Sequence, residues 1–162
     1  MTDLEIRIGR IEDIEEIKKL KAMYCYLVDE GLAGDKSKLE ELLLLFTDDA
    51  WADFGEFGRH ESKAAVRDFF LSLVPQVLSY SAHMVSNPLI EVDGNQATGR
   101  WYLQVPCTLR ALNQPNWIQG RYIEQYRKVD GVWKWTSITA RFDFFTPHEE
   151  GWVKTRMPSL SL

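Results

Sequence analysis

Residues Ala97–Ala111 read "ATGRWYLQVPCTLRA". Trp101, Leu103, Val105, Cys107 and Leu109 fall on one side of an alternating pattern. Arg100, Gln104, Thr108 and Arg110 fall on the other, with Tyr102 and Pro106. A period of two is the mark of a strand with one face toward a core and one toward water. The first set is therefore expected to face inward.

Working outward, "VLSYSAHMVSNPLIEV" (Val77–Val92) reads as a preceding strand, joined by Asp93-Gly94, a hairpin dipeptide. After a Pro/Asn loop, "WIQGRYIEQYRKV" (Trp117–Val129) and "VWKWTSITARFDFF" (Val132–Phe145) flank a second such turn, Asp130-Gly131. The amino-terminal half has a helical period instead. Apolar residues recur at Ile8, Ile11, Ile14, Ile17, Leu20, Met23, Tyr24, Leu27 and Val28, until Gly31 and Gly34. "KLEELLLLF" predicts a second helix stopping near Thr47, and "AWADFGEFG" a strand and glycine turn. "ESKAAVRDFFLSLV" (Glu61–Val74) predicts a third helix, ended by Pro75. Helices followed by long antiparallel strands indicate an α+β domain spanning residues 1–162. The tail, residues 146–162, carries Trp152, Val153, Met157 and Leu160, and is expected to pack on this fold or on a neighbouring subunit.

The chain holds 24 acidic against 19 basic residues, a net charge of −5, which argues against nucleic acid as a partner. "KKLK" (Lys18–Lys21) reads as the wet side of a helix. Two cysteines without a C-x-x-C spacing suit a reducing cytoplasm. The acidic start "MTDLEIRIGRIEDIEEI" is not a signal peptide, and no apolar run approaches the roughly 20 residues of a membrane span.

Three histidines are present. His60 and His148 lie in loop-like stretches beside Glu61 and Glu149 and form no metal-spaced cluster. His83 sits in the strand before Asp93-Gly94, sharing a face with Ser81, Val85 and Asn87. Joined to the inward face of the next strand, it looks into a hollow walled by Trp, Leu, Val and Cys. An imidazole there is either a hydrogen-bonded core residue or a base. Trp51, Phe54, Trp101, Tyr102, Trp117, Phe142 and Phe144 are candidates to line a pocket, with Asn87 a weaker ligand contact. Arg110, Arg121 and Arg141 read as solvated. No phosphate loop or dinucleotide fingerprint is present, so any catalysis is expected to need no cofactor and no metal.

The stretches "IEDIEEIKKLKAMYCYLVDEG", "LFTDDA", "SAHMVSNPLIEVDGNQATGRWYL", "YRKVDGVWKW" and "ARFDFFTP" together resemble the SnoaL-like branch of the nuclear-transport-factor-two-like superfamily, from about Ile8 to Thr155. The resemblance implies a cone-shaped α+β barrel, with three helices on a strongly curved antiparallel sheet around one deep pocket. It implies that Asp29 pairs with His83, that Tyr24 borders the pocket, and that Val105, Cys107 and Ile138 stand at substrate-contacting positions, to which the residue reading above adds Trp51, Phe54, Asn87 and Trp101. In dehydratase and dehydrochlorinase members, the positions of Val105, Cys107 and Ile138 carry the aspartate, histidine or arginine particular to each substrate. The implied activity is a cofactor-independent lyase, most simply a dehydratase, acting on a hydroxylated aromatic, polyketide or steroid-like molecule. Isomerisation, cyclisation and carbon–carbon cleavage need the same pair. The same fold also serves as a non-catalytic binding module or as the small subunit of a ring-hydroxylating dioxygenase. The resemblance further implies a homo-oligomer, a dimer or trimer, with no nucleic-acid or membrane partner.

Overall fold

The computed structural model describes residues 2–157. Helix α1 (Asp3–Leu32) opens on a capping box, in which the Thr2 hydroxyl accepts from Glu5 N–H and the Glu5 carboxylate accepts from Thr2 N–H. Its buried residues begin only at Ile17; Ile8 and Ile11, at the head of the apolar stripe, stay exposed. At the other end Gly31 remains inside the helix. A Cβ there would lie 2.4 Å from Leu39 Cγ, so the glycine permits close packing of α2 (Lys36–Leu43). Helix α2 ends at Leu43, earlier than its leucine run suggests, and strand β1 (Phe46–Asp53) follows.

A 3-10 turn (Gly55–Phe57) and the two-residue β2 (Arg59–His60) lead into α3 (Lys63–Asp68). Pro75 does not end this helical segment. A π-helical turn, Phe69–Leu73, widens the backbone and carries the chain into α4 (Val74–Val77). Proline lacks the N–H that would bond back along the helix, and its ring crowds the preceding turn. A wide turn relieves both problems.

Strands β3 (Leu78–Ser81), β4 (Met84–Asp93), β5 (Gln96–Leu109), β6 (Gln114–Val129) and β7 (Val132–Pro147) complete the sheet. Its order is β2-β1-β7-β6-β5-β3, with β4 also on β5. Asp93-Gly94 and Asp130-Gly131 turn the hairpins as expected, with Gly94, Asp130 and Gly131 at positive φ. Every pairing is antiparallel except β1 with β7, which is parallel. The sheet is thus mixed and strongly curled, a half-barrel closed by the helices. Register shifts at Gln119/Gly120 and Gln125/Tyr126 between β6 and β7 mark bulges, which help to bend it.

Burial along β5 alternates strictly from Ala97 to Val105, as its sequence pattern requires. The tail packs on β7: Phe144 and Trp152 rings stack at 5.0 Å, and Phe145 N–H donates to Arg156 C=O. Leu160 lies outside the described residues. Among the described residues no helix is long and apolar enough to cross a membrane.

Candidate active site

His83 is not within a strand. It sits with Ala82 in a break between β3 and β4. Pro106 accounts for the break. Ala82 N–H donates to Pro106 C=O, but proline has no N–H to return. The His83 N–H points away from β5, toward the sheet edge, and meets the carboxylate of Asp29 at 2.7 Å. The His83 ring makes a second contact with the same carboxylate, Nδ1 to Oδ1 at 2.7 Å. Ser81 Oγ donates to Asp29 Oδ1 at 2.6 Å. Two residues of one strand edge and one helix-borne carboxylate thus fix each other, and the bond at Nδ1 leaves Nε2 as the free ring nitrogen.

That nitrogen belongs to a residue lining a small, half-open apolar hollow of about 60 Å³. Tyr24 and Val28 contribute from α1, Phe69 and Phe70 from the π turn, and Leu103, Val105, Ile118, Tyr122 and Phe142 from the sheet. Phe54 completes one wall and stacks on Phe69, with centroids 4.3 Å apart. A cavity of about 150 Å³ accommodates benzene, so a ring-sized ligand requires these aromatic walls to part.

Tyr24 and Asp29, five residues apart, do not share a stripe on α1. Tyr24 faces the cavity, while Asp29 faces the sheet edge beside it. The Tyr24 ring meets the His83 ring edge-on, with centroids 6.0 Å apart. Burial pushes the phenols of Tyr24 and Tyr122 far above their ordinary range, so both stay protonated at working pH.

Of the other expected substrate contacts, Phe54 and Val105 line the cavity. Trp51 does not: it lies on the other face of β1 from buried Ala50 and Ala52, under the Arg59 guanidinium at 4.3 Å. Asn87 is exposed in a β4 bulge at positive φ, which takes it out of the alternation shared by Ser81 and Val85. Trp101, Cys107 and Ile138 do face inward and are buried, but none of them lines the cavity. The reason is depth. Cys107 lies past one end of the cavity, paired with Asn116 and Ser81, whereas Trp101 pairs with Tyr122 at the other end and Ile138 sits in the row beyond it, Gly99–Glu124–Ile138, which is buried throughout.

That filled layer holds residues missed by reading the sequence. Lys21 is fully buried, not on the wet side of α1; its ammonium lies 2.5 Å from the equally buried carboxylate of Glu124. Glu124 also accepts from the Tyr126 hydroxyl, which in turn accepts from Trp101 Nε1 at 3.1 Å. The signal was present. Lys21 sits between Ile17 and Tyr24 on the buried stripe, and Tyr122, Glu124 and Tyr126 alternate on the inward side of β6. Among the described residues no cluster of three metal-ligating side chains occurs.

Comparison with known proteins fits this geometry. An uncharacterised protein of Mycobacterium tuberculosis, Rv2910c, is 30% identical over 95 residues, 59% of this chain. The match spans 60% of that relative's length. The structure of the type 2 hexachlorocyclohexane dehydrochlorinase LinA superposes with a TM-score of 0.78 at 22% identity, covering 87% of this chain and 92% of that one. A scytalone dehydratase-like protein of Novosphingobium aromaticivorans gives 0.75 at 21% identity, over 86% and 89%. Such likenesses establish the fold, which a nuclear-transport-factor-2-like protein of Salmonella enterica shares at a TM-score of 0.69 and 17% identity, over 79% of this chain and 89% of that one. The family model described as the SnoaL-like domain matches residues 9–139, and the chain belongs to that family.

Proposed function

We propose that the protein is a cofactor-independent lyase, most simply a dehydratase, in which His83 is the base. The observation that carries this reading is the 2.7 Å contact between His83 Nδ1 and Asp29 at the wall of an apolar hollow. Asp29 holds the ring in one tautomer and stabilises the imidazolium formed when Nε2 takes a proton from carbon. The electron pair left on carbon becomes the new double bond as the neighbouring carbon–oxygen bond breaks, and the departing hydroxide takes the proton from the His83 imidazolium to leave as water. Tyr24, which lines the same hollow, donates its O–H to the oxygen that gains charge or departs. Isomerisation or ring closure would use the same first step.

The lining supports an uncharged, compact substrate. Apart from His83 it contains no ionisable nitrogen or carboxylate, only two phenols and hydrocarbon. The narrow hollow favours a single hydroxylated ring or a small fused system over a steroid-sized molecule. The carboxylate-held imidazole at the wall of a hollow favours this reading over a non-catalytic module. Tyr80, Met84, Leu89, Tyr102 and Ile123, exposed on the outer face of the sheet, support assembly into a homo-oligomer. Light scattering should then return a multiple of 18.8 kDa. Two buried free thiols suit a cytoplasmic setting.

The test is a panel of uncharged hydroxylated cyclic ketones and phenols, screened first by thermal stabilisation. Binders are then followed by mass spectrometry for loss of water. His83→Ala should retain the parent melting temperature and lose turnover; a folded variant that still turns over removes His83 from the mechanism.

A further inference from the structure

Helix α1 carries two apolar stripes, and the barrel covers only one of them. Ile17, Leu20, Tyr24 and Val28 are buried. Leu4, Ile8 and Ile11 are 63%, 46% and 61% exposed. At 3.6 residues per turn these three lie roughly 120–180° around the helix from Ile17. They point away from the barrel, so no tilt of α1 on the sheet buries both sets. The barrel holds the helix at Asp13, which accepts hydrogen bonds from Lys128 Nζ and Trp133 Nε1. Residues 3–12 run on past that point for about 15 Å.

Exposed isoleucines do not help a helix standing in water, because their branched side chains lose rotamer freedom against the preceding turn. The Thr2–Glu5 capping box holds this overhang helical all the same. Leu4, Ile8 and Ile11 recur at the spacing of a coiled-coil seam. Ile8 takes the a position, with Leu4 and Ile11 at d, a choice that favours two parallel strands. The borders of the seam carry unlike charge: Arg7 lies on one side, Glu5 and Glu12 on the other. Two antiparallel copies would bring like borders together. Two parallel copies bring Arg7 of each against Glu12 of the partner subunit. Arg7 is available for this, since its contact with Asp3 is 4.0 Å long and exposed. Glu15 and Lys18 take the next two seam positions and pair with each other at 2.6 Å, which ends the contact.

We propose that the outward stripe of α1 is a docking surface for a second copy of this chain, the two overhangs pairing in parallel as a short two-stranded coiled coil with reciprocal Arg7–Glu12 ion pairs. Each barrel lies on the far side of its own helix. So short a seam makes a weak, concentration-dependent contact. It is separate from the outer face of the sheet, and neither the lyase reading nor assembly through the sheet depends on it.

Disulfide trapping tests the register. Leu4→Cys sets a cysteine opposite its own copy in a parallel pair, and opposite the Ile11 end in an antiparallel one. The native thiols, Cys25 and Cys107, are buried and stay out of the reaction. Mild oxidation of Leu4→Cys should give a band at twice 18.8 kDa that disappears on reduction. Glu61→Cys, 70% exposed on the barrel, is the control for random collision. Light scattering at high protein concentration should give I8E/I11E half the mass of the parent, because assembly through the sheet is untouched. By sedimentation equilibrium Arg7→Glu should weaken association about ten-fold, and R7E/E12R should restore it. Trapping no faster in Leu4→Cys than in Glu61→Cys overturns the proposal. Trapping only between Leu4→Cys and Ile11→Cys chains overturns the parallel orientation. An I8E/I11E mass equal to that of the parent assigns the stripe to a different partner and overturns the second copy. A charge swap that fails to restore association overturns the Arg7–Glu12 pairing.

Discussion

The Lys21 ammonium lies 2.5 Å from the Glu124 carboxylate, and neither side chain reaches solvent. Each charge is acceptable there only because of the other. Removing one partner, as in Lys21→Met, should cost roughly 3–5 kcal/mol, whereas K21M/E124L should sit near the parent stability. Denaturant midpoints at constant m-value measure both. If the single and double variants lose stability alike, the pair is not coupled as the geometry implies.

Asp29 receives bonds from Ser81 Oγ, the His83 backbone and the His83 ring. Asp29→Asn keeps the shape but cannot fill the role of charged acceptor for all three. Turnover should fall by about 10²–10⁴-fold, with a melting temperature close to that of the parent. Ser81→Ala removes one of the three bonds and should have a smaller effect of the same kind. The readout is kcat on the substrate found by the panel above.

Burial pushes the phenols of Tyr24, Tyr122 and Tyr126 well above the ordinary range, while Tyr26, Tyr80 and Tyr102 are exposed. Ultraviolet titration of the native protein to pH 11 should therefore leave Tyr24, Tyr122 and Tyr126 un-ionised, their signal appearing only on unfolding. By the same cause the thiols are pushed up, Cys25 to about 11 and Cys107 to about 12. Neither should react with a thiol reagent at pH 8 until the chain is denatured. Prompt native labelling would contradict the burial of Cys25 on α1 and Cys107 on β5.

Burial lowers the pKa of His60, whose Nε2 has no partner and whose ring packs on Phe69 at 4.6 Å. The unfolded histidine, near 6.5, then binds a proton more readily than the native one. Its contribution to stability is full above about pH 6.5 and is lost as pH falls through the native value. His60→Phe should flatten the melting curve of Tm against pH between 7 and 5. An unchanged slope would mean that some other group carries the dependence.

A Cβ on Gly120 would lie 2.1 Å from Arg141 C=O, at the bulge where β7 bends to bring Phe142 into the cavity wall. The obstacle is backbone, so no rotamer change relieves it. Gly120→Ala should destabilise by more than about 2 kcal/mol or force β6 and β7 apart. A thermal shift within a degree of the parent would show that the bulge yields easily.

Much of this architecture is legible in the order of residues alone. The alternation from Trp101 to Leu109, the two Asp-Gly turns and the stripe from Ile17 to Val28 are local patterns, and local patterns reflect local geometry. The resemblance to a family added the pairing of Asp29 with His83, which lie 54 positions apart and share no motif. Even the interruptions were written in: Pro106 ends the ladder that would otherwise claim His83, and Pro75 forces the wide turn that carries Phe69 and Phe70 inward. Only the tertiary structure decided the rest. Alternation tells which way a side chain points, not how deep in the cone it lies. Phe54 and Val105 therefore reach the hollow, whereas Trp101, Cys107 and Ile138 do not. Nor does a period of 3.6 distinguish a lysine in water from one whose charge is met by a glutamate 103 positions away. Burying a charge is tolerable only when a distant strand supplies its partner, and that partner is set by the curvature of the whole sheet.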